Sequence, residues 1–179
     1  MPNIAPQSTT PIHITMFADE HADKKFDAVM TWEEIVDSLK NPKEVAKKSD
    51  LKWLKLASFG DTTAKSPSGN SYRCDANVTG VYGIEADYDA EQFHPKKAAE
   101  LLESVGIKCL IVTTASHTTD KPRWRLLAPY SEPFKGLGAP IDDMRAHRAR
   151  QLFKVDNLFN EGEHFATESY TLSQGFYFG

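Results

Sequence analysis

The sequence predicts one α+β domain with an antiparallel sheet, and two observations carry that prediction. From Val81 onward, strand-like and helix-like periodicities alternate in short segments, and a tight polar turn, His117 to Pro122, joins two strands as a hairpin. A chain of 179 residues with 40% hydrophobic content is long enough to bury a single core.

The elements follow in order. Met1 to Thr10 has neither a basic start nor a long apolar run, which fits neither a signal peptide nor a membrane anchor. The first clear element begins at Thr31, where Thr31-Trp32-Glu33-Glu34 matches a capping box. Ile35 and Leu39 are apolar positions of a short helix that ends before Asn41-Pro42. A weaker helix is expected over Pro42 to Lys48 and a strand over Trp53 to Ala57, before a Gly-, Ser- and Pro-containing loop from Gly60 to Asn70. Residues 1–77 are therefore expected to form an N-terminal α/β extension packed on a core spanning 78–179, the two together making a single domain.

The core opens with a strand from Val81 through Tyr88. Pro95 then sits in the first turn of a helix whose Ala98, Leu101, Leu102 and Val105 form one apolar face and which Gly106 stops. A strand over Ile107 to Thr114, the polar turn, and a strand over Arg123 to Ala128 closed by Pro129 and Pro133 make the hairpin. A long helix is expected from Asp142 to Phe159, with Met144, Leu152, Val155 and Phe159 inward and Arg145, Arg148, Arg150 and Lys154 on a solvated face. A final strand covers Gln174 to Phe178. Strand, helix, strand, strand, helix, strand is the ferredoxin-like βαββαβ plan, shared by RNA-recognition motifs. In that plan the first strand is central, flanked by the third and the fourth, so its exit end meets the entrances of both neighbours.

That rim gathers the residues of chemical interest. Asp87 and Asp89, one residue apart on a strand, share a face and can hold divalent cations. His117 lies in the turn ending the second strand, where it is either an ordinary turn histidine or a hydrogen-bond donor to a phosphate oxygen. Arg123 and Arg125 open the third strand with an i, i+2 spacing that aims both guanidiniums one way, as a triphosphate clamp requires; Trp124 between them is core. One acidic side chain before the last strand is expected as a third ligand, Glu168 first, with Glu161, Glu163 and His164 nearby as competitors. Arg73 and Asn77 precede the first strand and serve either nucleotide or template contact or loop hydrogen bonding. Tyr170, Phe176 and Tyr177 are candidate base-stacking aromatics, Phe176 being better explained by core packing.

Charge and cysteine content narrow the classes. Twenty-one basic against 25 acidic residues give a formal charge of −4, so the chain lacks a global field for nucleic acid and any such contact must be local. Cys74 and Cys109 are too few and too distant for a disulfide framework or zinc site, which suits a reducing cytoplasm.

The run Gly83-Ile84-Glu85-Ala86-Asp87-Tyr88-Asp89, then Ala115-Ser116-His117, then an acidic residue ahead of a final strand resembles the three motifs of the archaeo-eukaryotic primase superfamily. The resemblance is strongest to the primase-polymerase domains of phage and plasmid replication proteins, which carry a stretch like Lys121 to Arg125 after the histidine. It extends from the Thr31 helix to Tyr177. It implies template-directed DNA primase or polymerase activity in DNA replication in a bacterial host cytoplasm. It further implies Asp87, Asp89 and Glu168 as ligands of two Mg²⁺ or Mn²⁺ ions and His117 as a contact to the incoming dNTP or NTP. A single-stranded DNA template or primer-template and a helicase domain or protein are the implied partners, with no membrane.

The chain departs from fuller members of that family in lacking a Cys/His zinc module, so primer initiation would need another domain or partner. Its ending at Gly179, directly after a predicted strand, leads to the expectation of a piece of a longer replication protein. The competing class is a non-catalytic or accessory nucleic-acid-binding module on the same frame, which would have no use for Asp87 and Asp89 together. A rolling-circle-type endonuclease would need a closely spaced His pair, and an Asp-x-Asp glycosyltransferase a doubly wound parallel sheet.

Overall fold

The computed structural model describes residues 11–40, 47, 50–135, 139–159 and 165–178. The segment Met1 to Thr10, nearly all of the expected Pro42 to Lys48 helix, the competing acids Glu161 and Glu163 with His164, and Gly179 lie outside them.

The fold is α+β, with two four-stranded antiparallel sheets, a small hairpin and three α-helices among the described residues. The strands are β1 (Ile12–Phe17), β2 (Lys25–Met30), β3 (Lys52–Lys55), β4 (Ala57–Phe59), β5 (Ala64–Ser66), β6 (Gly69–Ser71), β7 (Val78–Tyr88), β8 (Leu110–Thr113), β9 (Trp124–Lys135) and β10 (Phe176–Phe178). The helices are α1 (Trp32–Lys40), α2 (Pro95–Ser104) and α3 (Ile141–Asp156). One sheet has the order β10-β3-β1-β2 and the other β4-β7-β9-β8. No helix among the described residues is long and apolar enough to cross a membrane.

Local chemistry sets the helix ends. Thr31 and Glu34 close the capping box reciprocally: the Thr31 N–H donates to Glu34 Oε2 at 2.8 Å and the Glu34 N–H to Thr31 Oγ1 at 3.2 Å. Helix α2 starts on Pro95 behind His94, whose Nδ1 accepts from the Lys96 N–H at 3.2 Å. It ends in a Schellman motif, with Gly106 at φ 74° and the Ile107 and Gly106 N–H groups donating to Leu102 and Glu103 carbonyls at 2.9 Å.

Strand alternation divides β7 and β9 into two faces. Ile84, Ala86 and Tyr88 with Trp124, Leu126 and Ala128 pack against Ala98 and Leu102 of α2 and Leu152 and Val155 of α3. The other face turns toward the β1–β3 sheet, where Leu54, Leu56, Tyr82 and Leu127 share a second cluster with Ile14, Trp32 and Ile35. Contact there is close at Gly83, where a Cβ would stand 2.6 Å from the Ala128 carbonyl oxygen and from Leu56 Cδ1.

Several expectations are corrected. The expected fourth core strand, β10, pairs with β3 in the other sheet, and the place beside the first half of β7 is taken by β4 from the N-terminal segment. Because β3 and β4 are one extended run interrupted only at Leu56, that run joins the sheets, and residues on both sides of position 77 build each of them. Strands β1 and β2 precede the first element that the sequence made clear, and the Gly60 to Asn70 loop contains most of the β5–β6 hairpin. Strand β8 begins at Leu110 rather than Ile107. Strand β9 runs through Pro129 and Pro133 because β8 covers it only as far as Leu127, leaving the open edge at which proline is tolerated. Arg148, expected in solvent, is fully buried.

Candidate active site

A cavity of about 380 Å³ lies between the two sheets at the exit of β7. Asp87, Asp89, Arg123, Arg125 and Ser116 form its polar wall, and Leu54, Leu127, Phe176 and Phe178 are among its apolar lining. The polar wall follows from alternation: Glu85 and Asp87 of β7, and Asp89 just past its end, face the cavity and not the helices.

The two arginines are already engaged. Arg125 is the register partner of Asp87, and its Nε and Nη2 donate to the two carboxylate oxygens at 2.5 and 2.9 Å. Its Nη1 donates to the Tyr177 carbonyl, and its guanidinium lies 4.9 Å from the Phe176 ring centroid. Arg123 donates through Nε and Nη2 to Glu91 Oε1 at 2.8 and 2.5 Å, and its Nη1 is 4.0 Å from Asp89 Oδ1. Burial raises the Asp89 carboxyl above its ordinary range, and the negative charges of Asp87 and Glu168 add to that rise against the pull of Arg123 and Arg125.

His117 stands at the rim. Its Nδ1 accepts from the Arg123 N–H at 3.1 Å, which in the neutral ring puts the proton on Nε2 and makes that edge a donor. Glu168 is exposed on a 3-10 turn, Thr167–Tyr170, near enough to Asp89 to act on its ionisation. That turn is tied to β7: the Ala166 N–H donates to the Asp87 carbonyl at 2.8 Å, and the Asp87 N–H to Ser169 Oγ at 3.1 Å. The structure thus brings Asp87, Asp89, Arg123 and Arg125 to one cavity, with His117 and Glu168 beside it.

Arg73 is placed elsewhere. Its guanidinium carbon lies 4.7 Å from the Trp53 ring centroid, and it donates to Gln174 Oε1 at 3.1 Å and the Glu20 carbonyl at 3.0 Å, outside the cavity lining. Asn77 is buried and spends its amide on Gly60, Thr62 and Tyr72, the loop-bonding alternative. Phe176 is buried, while the Tyr170 hydroxyl donates to Asp156 and the Tyr177 hydroxyl to Glu20, each at 2.9 Å.

Beneath the cavity lies a charged group that motif reading passed over. Glu85, Lys55 and Arg148 are all buried; Lys55 Nζ donates to Glu85 Oε2 at 2.6 Å, and Arg148 Nη2 is 3.4 Å from the same oxygen. Arg148 also donates to the Glu85 carbonyl at 2.9 Å and to the Ser169 carbonyl, which links α3, β7 and the Glu168 turn. Burial, with Arg148 nearby, lowers the Lys55 pKa despite its carboxylate partner. The sequence signal was present: Glu85 continues the i, i+2 series of Asp87 and Asp89 into an apolar run, where an acid requires a buried cation.

In donor chemistry, Asp87 and Asp89 fit a divalent cation, being hard carboxylate oxygens that line one cavity. Among the described residues, no three His, Cys, Asp or Glu side chains are gathered tightly enough to form a metal-ligand group, consistent with Asp87 being held by Arg125. No family model, no curated protein and no solved structure matches the chain.

Proposed function

We propose that the protein is a two-metal nucleotidyltransferase, a DNA primase or polymerase that adds nucleotides to a template-directed strand in phage or plasmid replication. The observation that carries this reading is the single cavity lined by Asp87, Asp89, Arg123 and Arg125, with His117 anchored on the backbone of Arg123. The proposal takes the α2- and α3-backed sheet as a variant ferredoxin-like core in which β4 stands where the family plan has its last strand.

Each residue has a role in that chemistry. Asp87 and Asp89, with Glu168 as the third acid, would hold Mg²⁺ or Mn²⁺. When bound, two such ions lower the pKa of the attacking 3′-hydroxyl and stabilise charge on the leaving pyrophosphate. Arg125 orients the Asp87 carboxylate, His117 Nε2–H donates to a phosphate oxygen, and Arg123 supplies a guanidinium edge for the triphosphate. The apolar lining at Leu54, Leu127 and Phe176 excludes water from the nucleotide and strengthens these contacts.

A second reading, an accessory nucleic-acid-binding module, is favoured by one observation, the closure of Asp87 onto Arg125. Primer extension separates the two. The chain is incubated with Mn²⁺ or Mg²⁺, a primed template and labelled dNTPs or NTPs, beside Asp87→Asn and Asp89→Asn variants. Extension by the parent protein and its loss in both variants is the expected result. Extension undiminished in both variants removes these carboxylates from catalysis, and primer-template binding without extension by any of the proteins favours the accessory module.

A further inference from the structure

We propose that Glu91 is a placeholder carboxylate, occupying the Arg123 edge that a phosphate group of the incoming triphosphate takes over. The inference rests on the nucleotide reading of the cavity and adds to it an exchange of anions at one guanidinium.

Three observations meet at this contact. Arg123 offers its Nε and Nη2 to a single oxygen, Glu91 Oε1, and the other oxygen of Glu91 is 3.5 Å from Lys121 Nζ. A phosphate oxygen uses the same donors with the same geometry, so carboxylate and phosphate compete for one place. Glu91 also has φ 60°, a left-handed conformation uncommon for a residue with a Cβ, which sets its side chain on a turn rather than on β7 or α2. Finally, the contact is reachable: the Arg123 and Glu91 side chains are 35% and 26% exposed, and Arg123 lines the cavity while Glu91 does not. Glu91 therefore meets Arg123 at the edge of the cavity, where a ligand bound within it can compete for the same guanidinium.

The exchange has a direct consequence. With Glu91 in place, the Arg123 charge is neutralised beside two aspartates, and a polyanion meets a wall without net attraction. Displacement of Glu91 gives the phosphate the full charge of Arg123 and frees the segment that links Asp89 to α2. Removing the competitor should consequently tighten anion binding even without cations, by a population-shift argument in which the bound-competent state no longer has to be won from Glu91.

Calorimetric titration in EDTA with inorganic tripolyphosphate, and separately with a dNTP, is the experiment, using the full chain and the Glu91→Gln, Glu91→Gly and Glu91→Gln/Arg123→Gln variants. Both single variants are expected to bind tripolyphosphate about tenfold more tightly than the parent. The gain should vanish in the double variant and recur with the dNTP if the phosphates are the shared recognition element. Unchanged or weaker binding in Glu91→Gln and Glu91→Gly, with the parent protein binding dNTP in Mn²⁺, overturns the placeholder role alone. No binding of dNTP or tripolyphosphate by any of the proteins, with or without Mn²⁺, overturns the phosphate reading of the cavity and this inference with it.

Discussion

Asp87 and Arg125 stand opposite each other on β7 and β9, and each carboxylate oxygen accepts a separate guanidinium N–H, at 2.5 and 2.9 Å. Their side chains are only 19% and 13% exposed, so this is a largely desolvated fork rather than a surface pair. Arg125→Gln should lower stability by about 1.5–3 kcal/mol in urea unfolding, the range for hydrogen bonds to charged groups. A loss below about 0.5 kcal/mol would place it with exposed ion pairs.

The buried trio Lys55, Glu85 and Arg148 predicts a sharper effect. Glu85→Ala leaves two buried cations without their carboxylate and should cost about 3–5 kcal/mol. Joint replacement by Lys55→Met, Glu85→Leu and Arg148→Met should be far milder than the single change, as seen by urea unfolding of both. A triple variant as unstable as Glu85→Ala would show that the charges themselves are required.

Acid stability should depend on Asp75. Its carboxylate accepts from the Ser173 N–H at 2.9 Å and Arg145 Nε at 2.7 Å, tying the segment before β7 to α3 and the C-terminal run. Burial pushes its pKa up, but these bonds outweigh burial and hold it below the ordinary carboxylate value. The folded pKa is thus depressed relative to the unfolded one, so the contribution is complete above the ordinary value near 4 and is lost as pH falls through the folded value. Asp75→Asn should destabilise at neutral pH and show a weaker further loss of thermal stability below about pH 4 than the parent. Parallel stability–pH curves for the two proteins would contradict this.

The sequence displayed the candidate site's residues more clearly than the frame around them. The strand period that aligned Asp87 with Asp89, and Arg123 with Arg125, depends only on local geometry; Asp89 and Arg123 lie one residue outside β7 and β9, and all four residues line the cavity. The Thr31 capping box and the Pro95 and Gly106 ends of α2 are local in the same sense. The partner of β10 was not legible, because its side chains fit either sheet edge and the choice is settled by the β3–β4 run more than 100 residues earlier. Arg148 was hidden for a related reason: on helix α3 it looks like its exposed basic neighbours until Glu85 is known to lie beneath it. Glu91 gave no signal at all, since its meaning comes from a φ value and from an arginine 32 residues away.

The central claim is that Asp87 and Asp89 hold divalent cations facing a triphosphate in the cavity between the sheets. Diffraction at the manganese absorption edge, on crystals grown with Mn²⁺ and a non-hydrolysable dNTP, tests it most directly. The account predicts anomalous peaks about 2–2.3 Å from carboxylate oxygens of Asp87 and Asp89, with phosphate oxygens on His117 and on an Arg123 released from Glu91. Manganese and nucleotide bound away from these carboxylates, with Asp87 still closed on Arg125, would contradict it.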